Sequence, residues 1–356
     1  MAPHQVRAFP HFRQFLHLTG TIPTRYCRSL PIAPPQPGGS GPEAPELHLL
    51  ALMAEIGIEA GVSRDETALA SASKLFVFLW NQAWQSAPAT VRGDAEALHD
   101  MRVALRRLRT TLQNFEGDGE APILSSHLRR ELKSWRAKIG KFGDRLGTVR
   151  DFDVLGDYVR DFAKDKDDDS PGLQKFESAL LHERKKNFAP MTRKIERASE
   201  PNRLREEFAR WALGLPGAFS AAQLSTAEAA KLILPARLDE ALSLGNALTE
   251  GDEEAQHELR RTLRRIRYTL ETSSPCFDKQ VKKPVKRLVE LQDKLGELQD
   301  QTVLQEWLAH SFKDVPDDVK ELSYHGQQRR EELLQEVRDL WKKREKEGLW
   351  DELRSL

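Results

Sequence analysis

Cysteine is nearly missing: the 356 residues contain two, Cys27 and Cys276. That excludes a disulfide framework and a thiolate zinc cluster, and it fits a reducing, cytoplasmic compartment. Long apolar runs are missing too. The longest uncharged stretches, Leu75 to Val91 and Trp211 to Ala227, are interrupted by Asn81, Gln82 and Gln85 or by Gly214, Pro216 and Gly217. None approaches the ~18 apolar residues of a membrane span. Segments of alternating β pattern are absent, and so is any net charge, since 55 Lys+Arg balance 55 Asp+Glu. What is present is 39% apolar content, enough for a core in one large domain or two ordinary ones.

The neutrality conceals segregation. Met1 to Pro42 has no acidic residue and four arginines, Arg7, Arg13, Arg25 and Arg28. Leu98 to Arg150 carries 12 basic against 6 acidic residues, and His257 to Lys294 carries 11 against 5. A field follows the distribution of charge rather than its sum, so two strongly basic segments remain candidates for an anionic partner. The acidic run Asp165 to Asp169 reads as a solvated helix end or loop.

Residues 1–45 hold nine of the 19 prolines and the run PPQPGGSGP, which predicts a disordered extension. Its arginines and lack of acids suit an organelle transit peptide, a flexible tail or an upstream start equally. Residues 46–356 read as one all-α domain with a first half at about 64–200 and a second at about 201–350. The clearest helix carries Leu98, Met101, Leu105, Leu108, Leu112 and Phe115 at steps of 3 and 4, with Asp94 as N-cap and Gly117 beyond its end. Comparable stripes include Leu124 to Phe142, Phe152 to Phe162, Val281 to Leu298 and Val303 to Phe312, each read as its own helix.

Two blocks recur. Leu98 to Phe115 lies over Gln256 to Ser273 at an offset of 158, and Asp144 to Leu155 lies over Asp293 to Leu304 at an offset of 149. The same order in both halves predicts a duplicated helical unit, packed with pseudo-two-fold symmetry around a central basic cavity. Within the first block His99, Arg102, Arg106 and Arg109 stand at steps of 3, 4 and 3, and His257, Arg260, Arg264 and Arg267 repeat them. On a helix each quartet forms a line of cations about 15 Å long, beside the apolar seam. Four like charges at this spacing repel one another, and no Glu relieves them. In the next helix Lys138 and Arg145 match Arg287 and Lys294 of the second copy, with Lys141 and Lys283 joining in one copy each. Such helices face to face predict a trough of cations with no acids of its own.

A single Arg-rich helix would be read as arginines covering apolar surface. Two copies with the same spacing predict an anion site, and a linear phosphate polymer suits it. Guanidinium forks match phosphate oxygens, and many such contacts release counterions. His99 and His257 have no His or carboxylate at i+4, and each sits among arginines, which disfavours a metal. Donation to a phosphate oxygen, with charge gained on binding, is the expected role.

At these residues the sequence resembles the CHAD family of conserved-histidine α-helical domains. The resemblance rests on His-x-x-Arg-x-x-x-Arg-Arg-Leu-Arg at His99 to Arg109, on Leu-Gly-x-x-Arg-Asp-x-Asp-Val at Leu146 to Val154, on the pair Arg267 and Tyr268, and on Leu-Gly-x-x-x-Asp at Leu295 to Asp300. It covers about Thr67 to about Glu347. It implies paired helical bundles around a basic cavity that binds inorganic polyphosphate, and association with polyphosphate granules. Carried across, His99, Arg102, Arg106, Arg109, Arg145, His257, Arg260, Arg264, Arg267 and Lys294 become ligand candidates. The second copy departs from the first with Gln299 for Arg150 and Ile266 for Leu108. The Glu-x-Glu-x-Lys strand of the triphosphate-tunnel domain fused to some members does not occur here.

Asp151 and Asp153 could be read as a Mg²⁺ site for a phosphohydrolase, but residues at i and i+2 do not share a helix face. A cap after Gly147, or a buried partner for a stripe arginine, explains Asp151 and its counterpart Asp300 better. No catalytic residue and no cofactor is therefore expected. RNA or DNA is the competing partner, although the stripes offer Tyr268 alone for stacking.

Overall fold

The computed structural model describes residues 56–117, 124–164, 170–217, 224–248, 253–277, 281–311 and 315–356. The Pro/Gly-rich extension and the acidic run Asp165 to Asp169 lie outside these residues. Eleven α-helices form among the described residues, with no strand: α1 (Ile56–Glu59), α2 (Ala68–Val91), α3 (Ala95–Glu116), α4 (Ser126–Lys164), α5 (Pro171–Ser199), α6 (Leu204–Gly214), α7 (Thr226–Ala247), α8 (Glu253–Thr272), α9 (Lys282–Ser311), α10 (Asp317–Lys346) and α11 (Leu349–Arg354).

The local signals that start and stop α3 are realised. Asp94 accepts from the backbone N–H of Glu96 and Ala97, and Gly117 ends the helix at φ 72°, where a side chain would be strained. Leu98, Met101, Leu105, Leu108, Leu112 and Phe115 are all buried. Each contributes roughly 1.5–3 kcal/mol through removal of its surface from water.

Two expected boundaries are absent. Leu124 to Phe142 and Phe152 to Phe162 belong to the single 39-residue helix α4, and Val281 to Leu298 runs on through Val303 in α9. Gly140 and Gly143 lie within α4, with the side chains of Arg109 and Leu105 against them. Asp151 and Asp300 consequently stand inside helices, which corrects the cap reading for both.

Helices α2 to α5 pack in sequence, as do α7 to α10, and the two sets meet where α3 crosses α8 and α5 meets α10. A second junction joins the helix starts. The N–H of Ala68 donates to the carbonyl of Leu224, and the N–H of Thr226 donates to that of Glu66, both at 2.9 Å. The resulting antiparallel bridge pairs Thr67 with Ser225, the N-caps of α2 and α7. The main apolar core runs continuously through both sets, from Leu69 and Leu105 to Leu259 and Trp341. A smaller core joins Phe152, Phe176 and Leu180 to Val303, Leu308 and Leu322.

Candidate functional site

The α3 stripe and the α8 stripe come together. Arg106 donates from Nε to the hydroxyl of Tyr268 at 3.1 Å. Arg107 reaches Glu271 at 3.3 Å, and Asn114 donates to the Thr269 hydroxyl at 2.8 Å. The flank of α3 that faces α8 thus presents Arg106, Arg107 and Asn114. Arg102, Arg260, Arg264 and Arg267 are buried, while His99, Arg106 and Arg109 keep partial exposure. The stripes thus meet in a close junction that is largely buried, with partial exposure at His99, Arg106 and Arg109.

The electrostatics record the crowding. Burial lowers the pKa of Arg264 well below its ordinary value, and Arg260, Arg106 and Arg267 push the same way. Arg260 falls to about 10 through burial and Arg106, against the opposing charge of Asp300. Arg102 falls to about 10 for like reasons, with Asp151 opposing and Arg106 and Arg150 adding to the drop. His99 is pushed to about 3 by burial and by Arg150, Arg106, Arg102 and Arg107, so it is neutral at ordinary pH. His257 is lowered as well, chiefly by burial, and its Nδ1 lies 3.0 Å from Gln299 Oε1. Arg150 and Gln299, aligned in the sequence blocks, thus face the aligned histidines.

Carboxylates do enter the junction, which corrects the expectation of an acid-free trough. Asp151, 2% exposed, lies 3.6 Å from Arg102. Glu271 is fully buried between Arg107 and Arg267, the latter at 3.4 Å. Burial raises Asp300 to about 7, with Arg260 opposing and Asp151 reinforcing the rise. Asp153 pairs with Arg184 of α5, so Asp151 and Asp153 serve different partners. Among the described residues no group of three or more His, Cys, Asp or Glu could hold a metal ion.

The α4 and α9 candidates lie further out. Lys138 and Arg145 are exposed, with Lys138 Nζ 4.2 Å above the ring of Trp135. Arg287 is paired with Glu352 at 2.8 Å, and Lys294 with Glu336 at 2.7 Å. A small pocket beside His257 is lined by Glu253, Gln256, Leu295, Leu298, Gln299 and Thr302. Sequence reasoning missed Arg107, Arg150 and Glu271 as members of the junction. Arg150 was visible as a departure between the two blocks. Glu271, four residues after Arg267, looks like an ordinary helical ion pair, and its link to Arg107 exists in the fold alone.

The CHAD domain family model matches residues 79–309. The crystal structure of the CHAD domain from the plant Ricinus communis is similar in fold, with a TM-score of 0.59 and 20% sequence identity, over 79% of this chain and 93% of that one. The search of curated proteins finds no match.

Proposed function

The chain belongs to the CHAD domain family, and on that premise we propose that it binds inorganic polyphosphate, or a similar phosphate-rich polyanion, without turning it over. The observation that carries this reading is Arg106. It stands on one stripe, donates to Tyr268 of α8 at 3.1 Å, and its charge lowers the pKa of both buried arginines Arg260 and Arg264 on the other. Concentrating like charges in a desolvated junction is costly, and an anion relieves that cost. Guanidinium groups would grip phosphate oxygens through forked donors, entering from the edge where His99, Arg106 and Arg109 retain solvent contact.

Asp151 and Asp153 are committed to Arg102 and Arg184, which speaks for a binding role over metal-assisted hydrolysis. Tyr268 is buried beneath Arg106, Arg107 and Arg267, so it offers no open face to a nucleic-acid base, and polyphosphate is favoured over RNA. The reciprocal bonds at Thr67 and Ser225 add to the duplicated reading: these residues are 158 apart, the offset that superposes the two stripes. Recruitment to polyphosphate granules follows from the same binding.

The test is a salt titration of polyphosphate binding. Affinity should fall steeply with salt, and Arg106→Gln with Arg109→Gln should lower it by about tenfold or more, since each charge-assisted contact supplies roughly 1.5–3 kcal/mol. Unchanged affinity in a variant with a wild-type melting curve overturns the site. Displacement of polyphosphate by RNA of equal charge, or orthophosphate release with Mg²⁺, overturns the assigned ligand or the passive role.

A further inference from the structure

The two halves do not present equal faces. On α4, Lys138, Lys141 and Arg145 share one side of the helix at spacings of 3, 4 and 7. Lys194 of α5 joins them: its ammonium donates to the carbonyl of Lys141. Burial and Arg145 lower the pKa of Lys194, with Asp144 opposing. Among the described residues none of these four cations has a carboxylate in salt-bridge range. Asp144 also acts on Arg102 and Arg109, so this outer group is continuous with the junction of the stripes.

The aligned face of the second half is closed by its own acids. At the offset of 149, Glu290 takes the place of Lys141 and Glu297 that of Thr148. Arg287 is held by Glu352 of α11 at 2.8 Å. Lys294 lies between Glu336 of α10 at 2.7 Å and Glu297 at 3.5 Å. Arg329 of α10 ties Glu297 and Glu336 into the same network.

We infer that a long polyanion leaving the stripe junction runs over the α4–α5 face of the first half, along Lys138, Lys141, Arg145 and Lys194, and does not use the α9–α10 face. This rests on the polyphosphate reading above and adds a direction to it. An extended phosphate chain follows uncompensated cations, because each one it neutralises releases a counterion. Cations already held by Glu336 and Glu352 would first have to give up those partners, which leaves no net gain. The protein therefore has one outer subsite for chain phosphates, with Lys194 as a member that lies in neither repeated block.

The experiment compares three variants of the full chain with two probes, long-chain polyphosphate and tripolyphosphate. Lys138→Gln with Arg145→Gln and Lys194→Gln should weaken the long chain by about tenfold or more. It should also flatten the log–log salt dependence by about 2, at roughly 0.7 per lost contact. Tripolyphosphate, short enough for the junction, should stay within about twofold of wild type. Arg287→Gln with Lys294→Gln should leave both probes within about twofold, and Glu336→Gln with Glu352→Gln should tighten the long chain by opening the second face. Lys138 and Arg145 are exposed and Lys194 is half-buried, and a melting curve checks the fold of each variant. Equal long-chain losses from both cation variants, or a loss from the second alone, overturn the inference while leaving polyphosphate binding intact. A wild-type protein that binds neither probe sinks the binding reading itself.

Discussion

Arg106 and Tyr268 join the two stripes: the guanidinium of one donates to the phenol oxygen of the other at 3.1 Å. Burial would raise the pKa of this phenol. Arg106, Arg267, Arg107 and Arg264 outweigh it and bring the group down to about 7. Near pH 7 this phenol is therefore about half ionised, and above it the junction holds an anion of its own.

On the proposed reading, that anion would compete with phosphate. A bound polyanion pushes the Tyr268 pKa back up, so binding takes up a proton and strengthens as the pH falls through about 7. Tyr268→Phe should remove this dependence and tighten polyphosphate binding at about pH 8 relative to wild type. The linked stability effect has the opposite sense: a phenol depressed below its unfolded value of about 10 contributes stability above that pH, lost as the pH falls through about 7. Binding isotherms across this range, with the ultraviolet absorbance of tyrosinate followed in parallel, check both. A wild-type affinity that does not vary with pH contradicts the competition.

Asp151 and Asp300 align in the repeat but should respond differently to amidation. Asp151 is the buried partner of Arg102, and Asp151→Asn leaves that cation uncompensated, at a cost of about 3 kcal/mol by urea unfolding. Asp300 is raised to about 7, so its ionisation opposes folding: stability falls as the pH rises from about 4 through about 7. Asp300→Asn should flatten this part of the pH profile, and a profile identical to wild type would contradict it.

Gly245 of α7 faces the indole of Trp341, close enough that a Cβ would overlap the ring. Trp341 itself lies against Trp350, with ring centroids 4.7 Å apart, and cannot withdraw freely. Gly245→Ala should destabilise by about 1–3 kcal/mol, although alanine is the better helix former. Thermal melting measures it, and a rise in melting temperature would show that the ring moves aside.

Asp318 of α10 caps a helix other than its own. Its carboxylate accepts from the N–H of Gly172 at 2.8 Å and of Leu173 at 3.3 Å, in the first turn of α5. Asp318→Ala should cost about 1 kcal/mol. Hydrogen exchange should show the loss at the start of α5, whereas a loss confined to α10 would make the cap incidental.

Local chemistry made much of this legible beforehand. Asp94 and Gly117 bound α3 as their side chains require, and the 3-4 spacing of Leu98 to Phe115 is the buried seam. The shared histidine–arginine spacing singled out Arg106, which reaches Tyr268 of α8, but not Arg107, Asn114 or Glu271 beside it. Long-range pairing was not legible. The boundary expected between Phe142 and Phe152 is absent, and nothing local shows that α4 runs on through Gly143 and Gly147. The carboxylates at Glu336 and Glu352, which close one face, come from helices near the end of the chain. Nothing in their local pattern says which cation they reach.

The reciprocal backbone clasp at Thr67 and Ser225, with a shared interior on both sides of it, bears on how cargo arrives. Prising the halves apart like a clamshell would pull the Ala68 and Thr226 N–H groups from their acceptors and wet leucines of the shared core. If the chain holds polyphosphate as proposed, loading would be lateral, with the polymer entering along an edge as side chains shift while the scaffold stays shut.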